Sequence, residues 1–309
     1  MTAQQREFRV SPDEAESRLD AFVAARARVS RAAAAKLISA GSVLVDGRAA
    51  TKSSSRVGKG MRVAVSLPAA EDASPQPEDI PVAVVFEDEH LLVVSKPAGL
   101  VVHPAPGHSS GTLVNALLAR AGAAPAGGDA ERPGIVHRLD AGTSGLMIVA
   151  KDEATHAALT EALAARAITR IYLALVEGIP DSDTMTIDAP VGRSPRDRKK
   201  MAVVAGGRPA VTEIKVVEKF PDTALVEARP ITGRTHQIRV HLKAADHPVA
   251  GDRVYGHNRK LAAALGLDRP FLHAARLSFE HPSTGARIEL EDPLPADLQA
   301  ALQAARMRR

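Results

Sequence analysis

The richest set of chemically active side chains lies near the middle of the chain, in residues 134–151. His137, Arg138 and Asp140 stand on a polar, glycine-bearing bend between two short apolar runs. The second run, residues 146–149, is short and partly β-branched, which favours a buried strand over a helix. A bend anchored to a buried strand has little freedom, so these three side chains point in fixed directions. Catalysis needs side chains that are fixed in this way, because a displacement of about 1 Å can lower a reaction rate roughly a hundredfold.

A second basic segment, residues 232–242, contains two arginines and two histidines. Thr235 is a candidate N-cap for a helix that begins here. On that helix His236, Arg239 and Lys243 fall on one face, at positions i, i+3 and i+7. A helix N-terminus that carries basic side chains suits an anion. A basic amphipathic helix on the surface is the alternative.

The composition indicates what class of protein contains these two segments. The chain has 309 residues, enough for two domains with cores, and it is 45% hydrophobic and 25% charged, which is typical of globular proteins. No apolar stretch approaches the roughly 20 residues of a membrane helix, and the polar start lacks the apolar part of a secretory signal. Cysteine is absent, which excludes disulfides, thiolate zinc sites and a cysteine nucleophile. We therefore expect a cytoplasmic protein.

The charge balance permits a nucleic-acid partner without establishing one. The net charge is +4 and the pI is about 9.5. Only 3% of the residues are aromatic, which argues against an extended platform for stacking single-stranded bases. The position of the basic residues therefore matters more than their sum.

Changes in composition divide the chain into four parts. Residues 1–17 are polar, and we expect a disordered N-terminus there. Residues 68–81 are proline-rich and acidic with little apolar content, which is typical of a linker. The linker separates a small module, residues 18–67, from a larger domain, residues 82–309.

The small module has the pattern of two helices and a hairpin. Ser30 is a plausible N-cap of the second helix, Gly41 ends it, and Asp46-Gly47 is a strong hairpin signal. With basic side chains such as Arg31 and Lys36, the module resembles the S4 RNA-binding domain. Lysine and arginine contacts to phosphate would position RNA without reading its sequence. A helix–hairpin domain with a solvated basic face is the alternative.

The larger domain adds an aromatic residue and a basic run. Residues 168–176 alternate like a strand and include Tyr172, one of only two tyrosines, whose simpler interpretation is a core aromatic. Residues 193–200 form the densest basic run, which ends in Arg198, Lys199 and Lys200. Such runs are often solvated loops, and phosphate contact is the other interpretation.

Three segments of the larger domain, taken together, resemble the RluA family of RNA pseudouridine synthases. They are His137–Asp140 with Thr143–Leu146, Lys96–Pro104, and Thr232–Leu242. Their order and spacing carry the resemblance, which extends over nearly the whole chain from Arg18 onward. The central run and the S4-like module look most like the D type, the branch that modifies large-subunit (23S) ribosomal RNA.

The resemblance implies a fold and a reaction. The fold is α+β, with an N-terminal S4-like module and a catalytic domain whose long, mixed, mostly antiparallel sheet is flanked by helices. The reaction is isomerisation of uridine to pseudouridine, in which the target base first leaves the stack. No cofactor and no metal is implied. The implied partner is large-subunit rRNA or a precursor 50S particle, with no membrane, and the enzyme is expected to be a monomer.

The resemblance also implies roles for residues. Asp140 is the catalytic carboxylate, either as nucleophile or as the group that promotes glycosidic cleavage. Tyr172 lies against the target base, and Arg138 fills the gap that the extruded nucleotide leaves. A carboxylate that stays ionised in a shielded pocket needs a cationic neighbour, for which Arg234 is our first candidate and Arg239 the second. Further RNA contacts are expected from His137, His236, Arg239, Arg31, Lys36, Arg198, Lys199 and Lys200.

Two other functions fit parts of the sequence. A non-catalytic S4-type RNA-binding or ribosome-assembly protein would use the basic residues alone, and Asp140 would be dispensable. A hydrolase could use Asp140 and His137 on a phosphorylated substrate, and it would require a metal. The sequence offers no local ligand spacing for that metal.

Overall fold

The computed structural model describes residues 4–67, 75–104, 110–120, 126–128, 132–197, 199–256 and 258–308. The chain divides into two compact units, Met1–Ala73 and Ser74–Arg309. No helix in the described ranges is long and apolar enough to cross a membrane.

The first unit packs two helices on an antiparallel sheet with strand order β1-β4-β2-β3. Its elements are β1 (Gln4–Arg9), α1 (Leu19–Ala27), α2 (Arg31–Ser39), β2 (Val43–Val45), β3 (Arg48–Ala49) and β4 (Arg62–Leu67). Local signals set the ends of these elements. Ser30 accepts a hydrogen bond from the backbone N–H of Ala33 at 3.2 Å and caps α2. Asp46 and Gly47 both have positive φ, as a two-residue type I′ hairpin turn requires.

The expected disorder of residues 1–17 is wrong for the part that forms β1. This strand pairs with β4 in antiparallel register, from Gln4 opposite Leu67 to Arg9 opposite Arg62. Phe8 packs against the core of the unit. The segment looked disordered because an edge strand keeps one side in solvent and needs few apolar residues.

Part of the expected linker belongs to the second unit. Residues 68–74 lie outside the described ranges, but the main chain after them is held against a helix. The side-chain amide of Asn115 donates to the carbonyl of Gln76 at 2.7 Å, and the N–H of Glu78 donates to the carbonyl of Asn115 at 3.0 Å. A proline-rich, acidic composition did not reveal these contacts, because the main chain makes most of them.

The second unit has a large sheet with helices on its faces. Its strands are β5 (Ala83–Glu87), β6 (Leu91–Lys96), β7 (Ser144–Ala150), β8 (Thr169–Glu177), β9 (Thr184–Asp188), β10 (Val191–Arg193), β11 (Met201–Val203), β12 (Val211–Lys219), β13 (Thr223–Pro230), β14 (Leu272–Glu280) and β15 (Arg287–Glu291). Its helices are α3 (Leu113–Ala119), α4 (Glu153–Ala164), α5 (Gln237–Ala244), α6 (Arg259–Ala264) and α7 (Ala296–Met307).

Nine of these strands form one sheet in the order β5-β6-β7-β14-β8-β13-β12-β9, with β15 paired to β14. Among the described strands β7 and β14 are the one parallel pair, and β10 and β11 form a separate ribbon. The prediction of an α+β fold with a long, mixed, mostly antiparallel sheet is confirmed.

The centre of the sheet explains why β6 and β7 read as continuous apolar runs. Leu92, Val94, Met147 and Val149 point to one face and join the core beneath α3, α5 and α7. Their neighbours along both strands point to the other face, where α4 covers them. Each such side chain contributes roughly 1.5–3 kcal/mol when it leaves water. The bend that carries Asp140 therefore leads into a strand that is buried on both faces.

Candidate active site

A cavity of about 640 Å³ opens where the bend before β7, strand β8 and the start of α5 meet. The sequence-predicted residues His137, Arg138, Asp140 and Tyr172 line it, as do residues 230–239. Segments that lie about a hundred positions apart in the chain thus share one site. The cavity is large enough for a single nucleoside and its neighbouring groups.

The bend around Asp140 is held by backbone contacts on several sides. The N–H of Thr143 donates to the carbonyl of Asp140 at 3.0 Å and closes the turn. The carbonyl of Ala141 accepts from the N–H of Gly99 at 2.7 Å and from the ammonium of Lys96 at 3.3 Å. The guanidinium of Arg269 donates to the carbonyl of Gly142 at 3.3 Å. The side chain of Asp140 therefore projects from a rigid loop.

Lys96 is a buried cation near this loop. Its side chain is fully buried, and its ammonium donates to the carbonyls of Pro97 at 2.9 Å and Leu100 at 2.8 Å. Burial lowers the pKa of Lys96 to about 8, although the negative charge of Asp140 opposes the shift. Lys96 thus holds three loop carbonyls together beneath Asp140.

A buried arginine joins two carboxylates at the floor of the site. Arg239 donates from Nη1 to Oδ2 of Asp140 at 2.9 Å, and from Nε and Nη2 to Asp252 at 2.7 and 2.9 Å. Burial favours the neutral forms, yet these ion pairs outweigh it, so the pKa of Arg239 is raised and that of Asp252 is lowered. Such a planar, two-pronged pairing fixes the orientation of the guanidinium.

The structure reverses our order of candidates for the cationic neighbour of Asp140. Arg239, the second candidate, contacts the carboxylate. Arg234, the first candidate, instead directs its Nε to the carbonyl of Pro209 at 3.1 Å and is half-buried in the cavity wall. Arg234 precedes α5 and faces the mouth, whereas Arg239, in its first turn, points inward.

The start of α5 also differs from the prediction. The helix begins at Gln237 with His236 as N-cap residue, and His236 has a left-handed backbone with φ of 56°. Thr235 is therefore not the cap. His236 makes no side-chain cap hydrogen bond, and the side chain of Gln237 binds outside the helix: its Oε1 accepts from the N–H of Arg234 at 3.0 Å, and its Nε2 donates to the carbonyl of Val211 at 2.9 Å. Gln237 thereby ties the helix to β12.

The shared face predicted for His236, Arg239 and Lys243 does not form as one outward surface. Lys243 is exposed, but Arg239 is buried. The anions that meet the basic start of α5 are carboxylates of the protein itself, Asp140 and Asp252. This is consistent with the favourable position of a negative charge at a helix N-terminus.

His236 lies between Asp140 and a second tyrosine. Its Nε2 is 3.9 Å from Oδ1 of Asp140, and its Nδ1 is 2.8 Å from the hydroxyl oxygen of Tyr255. The two rings meet edge to face, with centroids 5.6 Å apart. Burial lowers the pKa of His236, partly opposed by the charge of Asp140. The imidazole is therefore mainly neutral at neutral pH.

His137 and Tyr172 are buried in the wall of the cavity. The Nε2 of His137 accepts from the N–H of Ile148 at 3.0 Å, so this ring fastens the bend to β7. Burial, aided by the charge of Arg170, lowers the pKa of His137 to about 3. Burial raises the pKa of Tyr172, and the charge of Asp140 adds to this rise, so the phenol stays neutral.

The remaining predicted RNA contacts lie on surfaces. Arg138 is exposed at the mouth of the cavity, and Lys199 and Lys200 are exposed beside the β10–β11 ribbon, while Arg198 lies outside the described residues. In the first unit Lys36 is exposed on α2.

Arg31 of the first unit is exposed but not free. Its guanidinium pairs with the buried carboxylate of Asp20 at 3.2 Å, and Arg18 pairs with the same carboxylate at 2.7 Å. Part of the positive charge of Arg31 is therefore balanced within the protein.

Sequence reasoning missed the roles of Asp252, Tyr255 and Lys96. Lys96 begins one of the segments that carry the family resemblance, but none of the three residues was assigned a role. The available signal was a charged or polar residue inside an otherwise apolar stretch, as at Lys96 after Leu91–Ser95. Nothing in the local pattern linked Asp252 to Arg239, because Arg239 lies in α5 and Asp252 lies in the loop before α6, and the two meet only in the fold.

Comparison with protein families gives two matches. The family described as RNA pseudouridylate synthase matches residues 90–244, and the S4 domain family matches residues 17–63. These ranges contain the Asp140 bend and the start of α5 in one case, and both helices of the first unit in the other. The S4 prediction is confirmed.

Individual proteins are similar over nearly the full length. A Chloroflexus aurantiacus protein named as an uncharacterized RNA pseudouridine synthase is 47% identical over 98% of this chain and 94% of its own. A Xanthomonas campestris protein named ribosomal large subunit pseudouridine synthase D is 44% identical over 96% of this chain and 92% of its own. Among solved structures, human RNA pseudouridylate synthase domain containing 1 superposes with a TM-score of 0.58 at 27% identity. That match covers 75% of this chain and 97% of the human one.

Proposed function

We propose that this chain, which belongs to the RNA pseudouridylate synthase family, isomerises specific uridines of large-subunit (23S) ribosomal RNA. Family membership makes it an RNA pseudouridine synthase. The choice of large-subunit rRNA is supported by the relatives named for the large subunit, at 44–46% identity, and by the S4 domain.

The observation that carries the catalytic part of the proposal is the setting of Asp140. Oδ2 of this carboxylate is held by Arg239 at 2.9 Å, while Oδ1 faces the cavity with His236 Nε2 at 3.9 Å. Within the described ranges Oδ1 accepts no direct hydrogen bond. One oxygen is thus anchored and the other is free to react with a nucleotide in the cavity, as a near-attack geometry requires.

The reaction rearranges bonds without a net gain or loss of atoms. The bond between uracil N1 and ribose C1′ breaks, the uracil turns, and C1′ joins C5, from which a proton leaves for solvent, while N1 takes up a proton in place of its bond to the sugar. In our proposal Asp140 acts at the sugar, either as nucleophile or by promoting the cleavage. Arg239 keeps the carboxylate oriented. Tyr172 packs against the base as a neutral phenol.

The RNA reaches this site only if the target nucleotide leaves its helix. Arg138, exposed at the mouth, is proposed to enter the space that the nucleotide vacates. Lys199 and Lys200 near the ribbon, and Arg31 and Lys36 in the S4 domain, are proposed to contact phosphates. Such contacts make affinity fall with salt, because each neutralised phosphate releases counterions.

The oligomeric state, the location and the form of the RNA substrate are also part of what we propose. We propose a monomeric, cytoplasmic enzyme that acts on free rRNA or on a precursor 50S particle. Sedimentation of the purified protein tests the monomer. Comparison of free rRNA with isolated subunits as substrates identifies the preferred form.

Tritium release tests the reaction and Asp140 together. Large-subunit rRNA labelled at uridine C5 is incubated with wild type, Asp140→Asn, and the control Asp268→Asn, whose carboxylate is 97% exposed. We expect release by wild type and by the control, and none by Asp140→Asn. Equal release by all three would refute the role of Asp140. RNA binding without release by any of them would favour a non-catalytic RNA-binding protein.

A further inference from the structure

Tyr255 connects the candidate site to the β10–β11 ribbon through its hydroxyl. The side chain is buried, with 3% exposure. Its hydroxyl oxygen accepts from the N–H of Met201, the first residue of β11, at 3.0 Å and lies 2.8 Å from Nδ1 of His236. In the part of the chain that the structure describes, these are its two hydrogen-bond partners.

The proton positions in this chain of contacts follow from the donors available. The N–H of Met201 can only donate, so the hydroxyl of Tyr255 accepts there. The hydroxyl has one proton of its own, and Nδ1 of His236 is the remaining acceptor within reach. In the neutral imidazole a nitrogen that accepts leaves the proton on the other nitrogen. Both the hydroxyl proton and the N–H of Met201 find partners in this arrangement only when the imidazole proton of His236 is on Nε2.

The charges around His236 are consistent with a neutral ring. Burial lowers its pKa, and the positive charges of Arg239 and Arg138 act in the same direction. The carboxylates of Asp140 and Asp252 oppose them without reversing the shift. The ring therefore has one N–H at neutral pH, and the hydrogen-bond partner of Nδ1 determines which nitrogen carries it.

This N–H points toward the reacting end of the site. Nε2 lies 3.9 Å from Oδ1 of Asp140, the oxygen that Arg239 leaves free. That separation is too long for a direct hydrogen bond. An oxygen of a nucleotide that approaches Oδ1 would come within reach of Nε2. A neutral donor placed beside developing negative charge stabilises it without a prior cost of reorganisation.

We propose that Tyr255 is a positioning residue that fixes the Nε2–H form of His236, so that this N–H donates to an oxygen of the target nucleotide beside Asp140. The donation to a nucleotide rests on the proposed function, whereas the proton position does not.

The substitution Tyr255→Phe isolates the hydroxyl. The ring packs with Val191, Ala210 and Val240 and lies 4.9 Å from the guanidinium carbon of Arg239. Phenylalanine keeps this packing and the cation–π contact, and it removes only the two hydrogen bonds. The variant should therefore fold, which its thermal unfolding profile checks.

The first test reads the proton position directly. Nitrogen-15 NMR of protein with labelled histidine distinguishes a protonated ring nitrogen from an unprotonated one, and the spectrum of His236→Asn identifies the signals of His236. Asparagine tolerates the left-handed backbone of this position but is too short to replace Nε2. We expect Nε2 to be protonated in wild type and both forms to be populated in Tyr255→Phe. A proton on Nδ1 in wild type, or unchanged signals in Tyr255→Phe, would overturn the proposal.

The second test uses single-turnover tritium release and RNA affinity. We expect Tyr255→Phe to lower the rate at least about tenfold and His236→Asn about a hundredfold, with affinity for RNA unchanged. If Tyr255 acts through His236, the double variant is no slower than His236→Asn. Multiplied effects, or a loss of affinity like that expected for Lys200→Gln, would contradict the positioning role. If wild type releases no tritium, the proposed reaction and this donation both fail, and the NMR result still tests the proton position.

Discussion

Replacement of Asp252 by asparagine tests the ion-pair arrangement beneath the candidate site. The side chain of Asp252 is fully buried and that of Arg239 is 8% exposed. Besides the two hydrogen bonds from Arg239, the carboxylate accepts from the N–H groups of Val254 at 2.9 Å and Tyr255 at 3.1 Å. Asparagine keeps the shape but loses the charge, and its NH₂ group faces a guanidinium donor.

The expected loss of stability follows from burial. Removal of one partner from a buried ion pair costs about 3–5 kcal/mol, because the other charge stays buried without its counterion. Asparagine retains one acceptor oxygen and Asp140 still pairs with Arg239, so we expect the lower end, about 3 kcal/mol. Asp268→Asn is the matched control, because its partner Arg253 is 75% exposed and such surface pairs contribute about 0–1 kcal/mol.

Urea unfolding followed by tyrosine fluorescence measures this difference in the second unit alone. The chain has no tryptophan, and both of its tyrosines, Tyr172 and Tyr255, lie in that unit. The fluorescence change therefore reports unfolding of the second unit only. A probe of the whole chain would also report unfolding of the S4 domain. We also expect tritium release by Asp252→Asn to fall more than tenfold, because Arg239 loses its fixed orientation.

The effect of Asp252→Asn on stability should depend on pH in a known direction. The pKa of Asp252 in the folded protein lies below its ordinary value of 3.8, so the unfolded chain takes up the proton first as pH falls. Its stabilisation is complete above the unfolded pKa and is lost as pH falls through the folded pKa. The stability gap between wild type and Asp252→Asn should therefore narrow below about pH 4. A gap no larger than that of Asp268→Asn, or one that widens in acid, would refute this reasoning.

Three further predictions concern other parts of the second unit. The pKa of His137 is about 3 in the folded protein, against an ordinary value of 6.5, so the free energy of unfolding falls as pH drops from 6.5 toward 3. In His137→Gln the urea midpoint should therefore depend less on pH over this range. Gly145 has φ of 116° and a Cβ there would lie 2.4 Å from the backbone of β14, so Gly145→Ala should destabilise by about 3 kcal/mol in the same assay. Gly206→Ala, with no atom within 4 Å of the new Cβ, is its control and should stay within about 0.5 kcal/mol. Arg239→Gln should slow tritium release at least about a hundredfold and Arg234→Gln less than tenfold, and equal losses would contradict the assignment of Arg239.

Features that depend on a few neighbouring residues were predictable. Asp152 accepts from the N–H of Thr155 at 2.7 Å and begins α4, as its position before a helical pattern indicates. Thr112 and Asn115 form a reciprocal cap at the start of α3. The turn at Asp46-Gly47 forms as expected. These contacts span three or four positions, so residue type and spacing are sufficient to reveal them.

Features that depend on a distant partner were not predictable in the same way. β1 exists because β4, more than fifty positions later, supplies its hydrogen bonds. Its own sequence is polar and does not show the alternation of a half-buried strand. Residues 76–80, assigned to the linker, are held by contacts to α3 that run largely through the main chain.

The error at Arg234 has a related cause. The sequence placed two arginines five positions apart around a helix start, and both could reach a carboxylate. The direction of each depended on where α5 begins, and its N-cap residue is His236, one position after the expected Thr235. Arg239 is therefore the arginine that points inward, and Asp252 binds its guanidinium.

The sequence by itself determined the α+β class, the S4 domain, the enzyme family and Asp140 as the proposed catalytic carboxylate. It could do so because these depend on local patterns and on the order of motifs along the chain. The tertiary structure decided which cation meets Asp140, which oxygen of that carboxylate is left free, and which tyrosine meets His236. Those outcomes depend on the hydrogen bonds of Arg239 to Asp140 and Asp252, at 2.9 and 2.7 Å, and on that between His236 and Tyr255, at 2.8 Å. The partners in each pair lie well apart in the chain, and only packing of the bend, α5 and the loop before α6 brings them together.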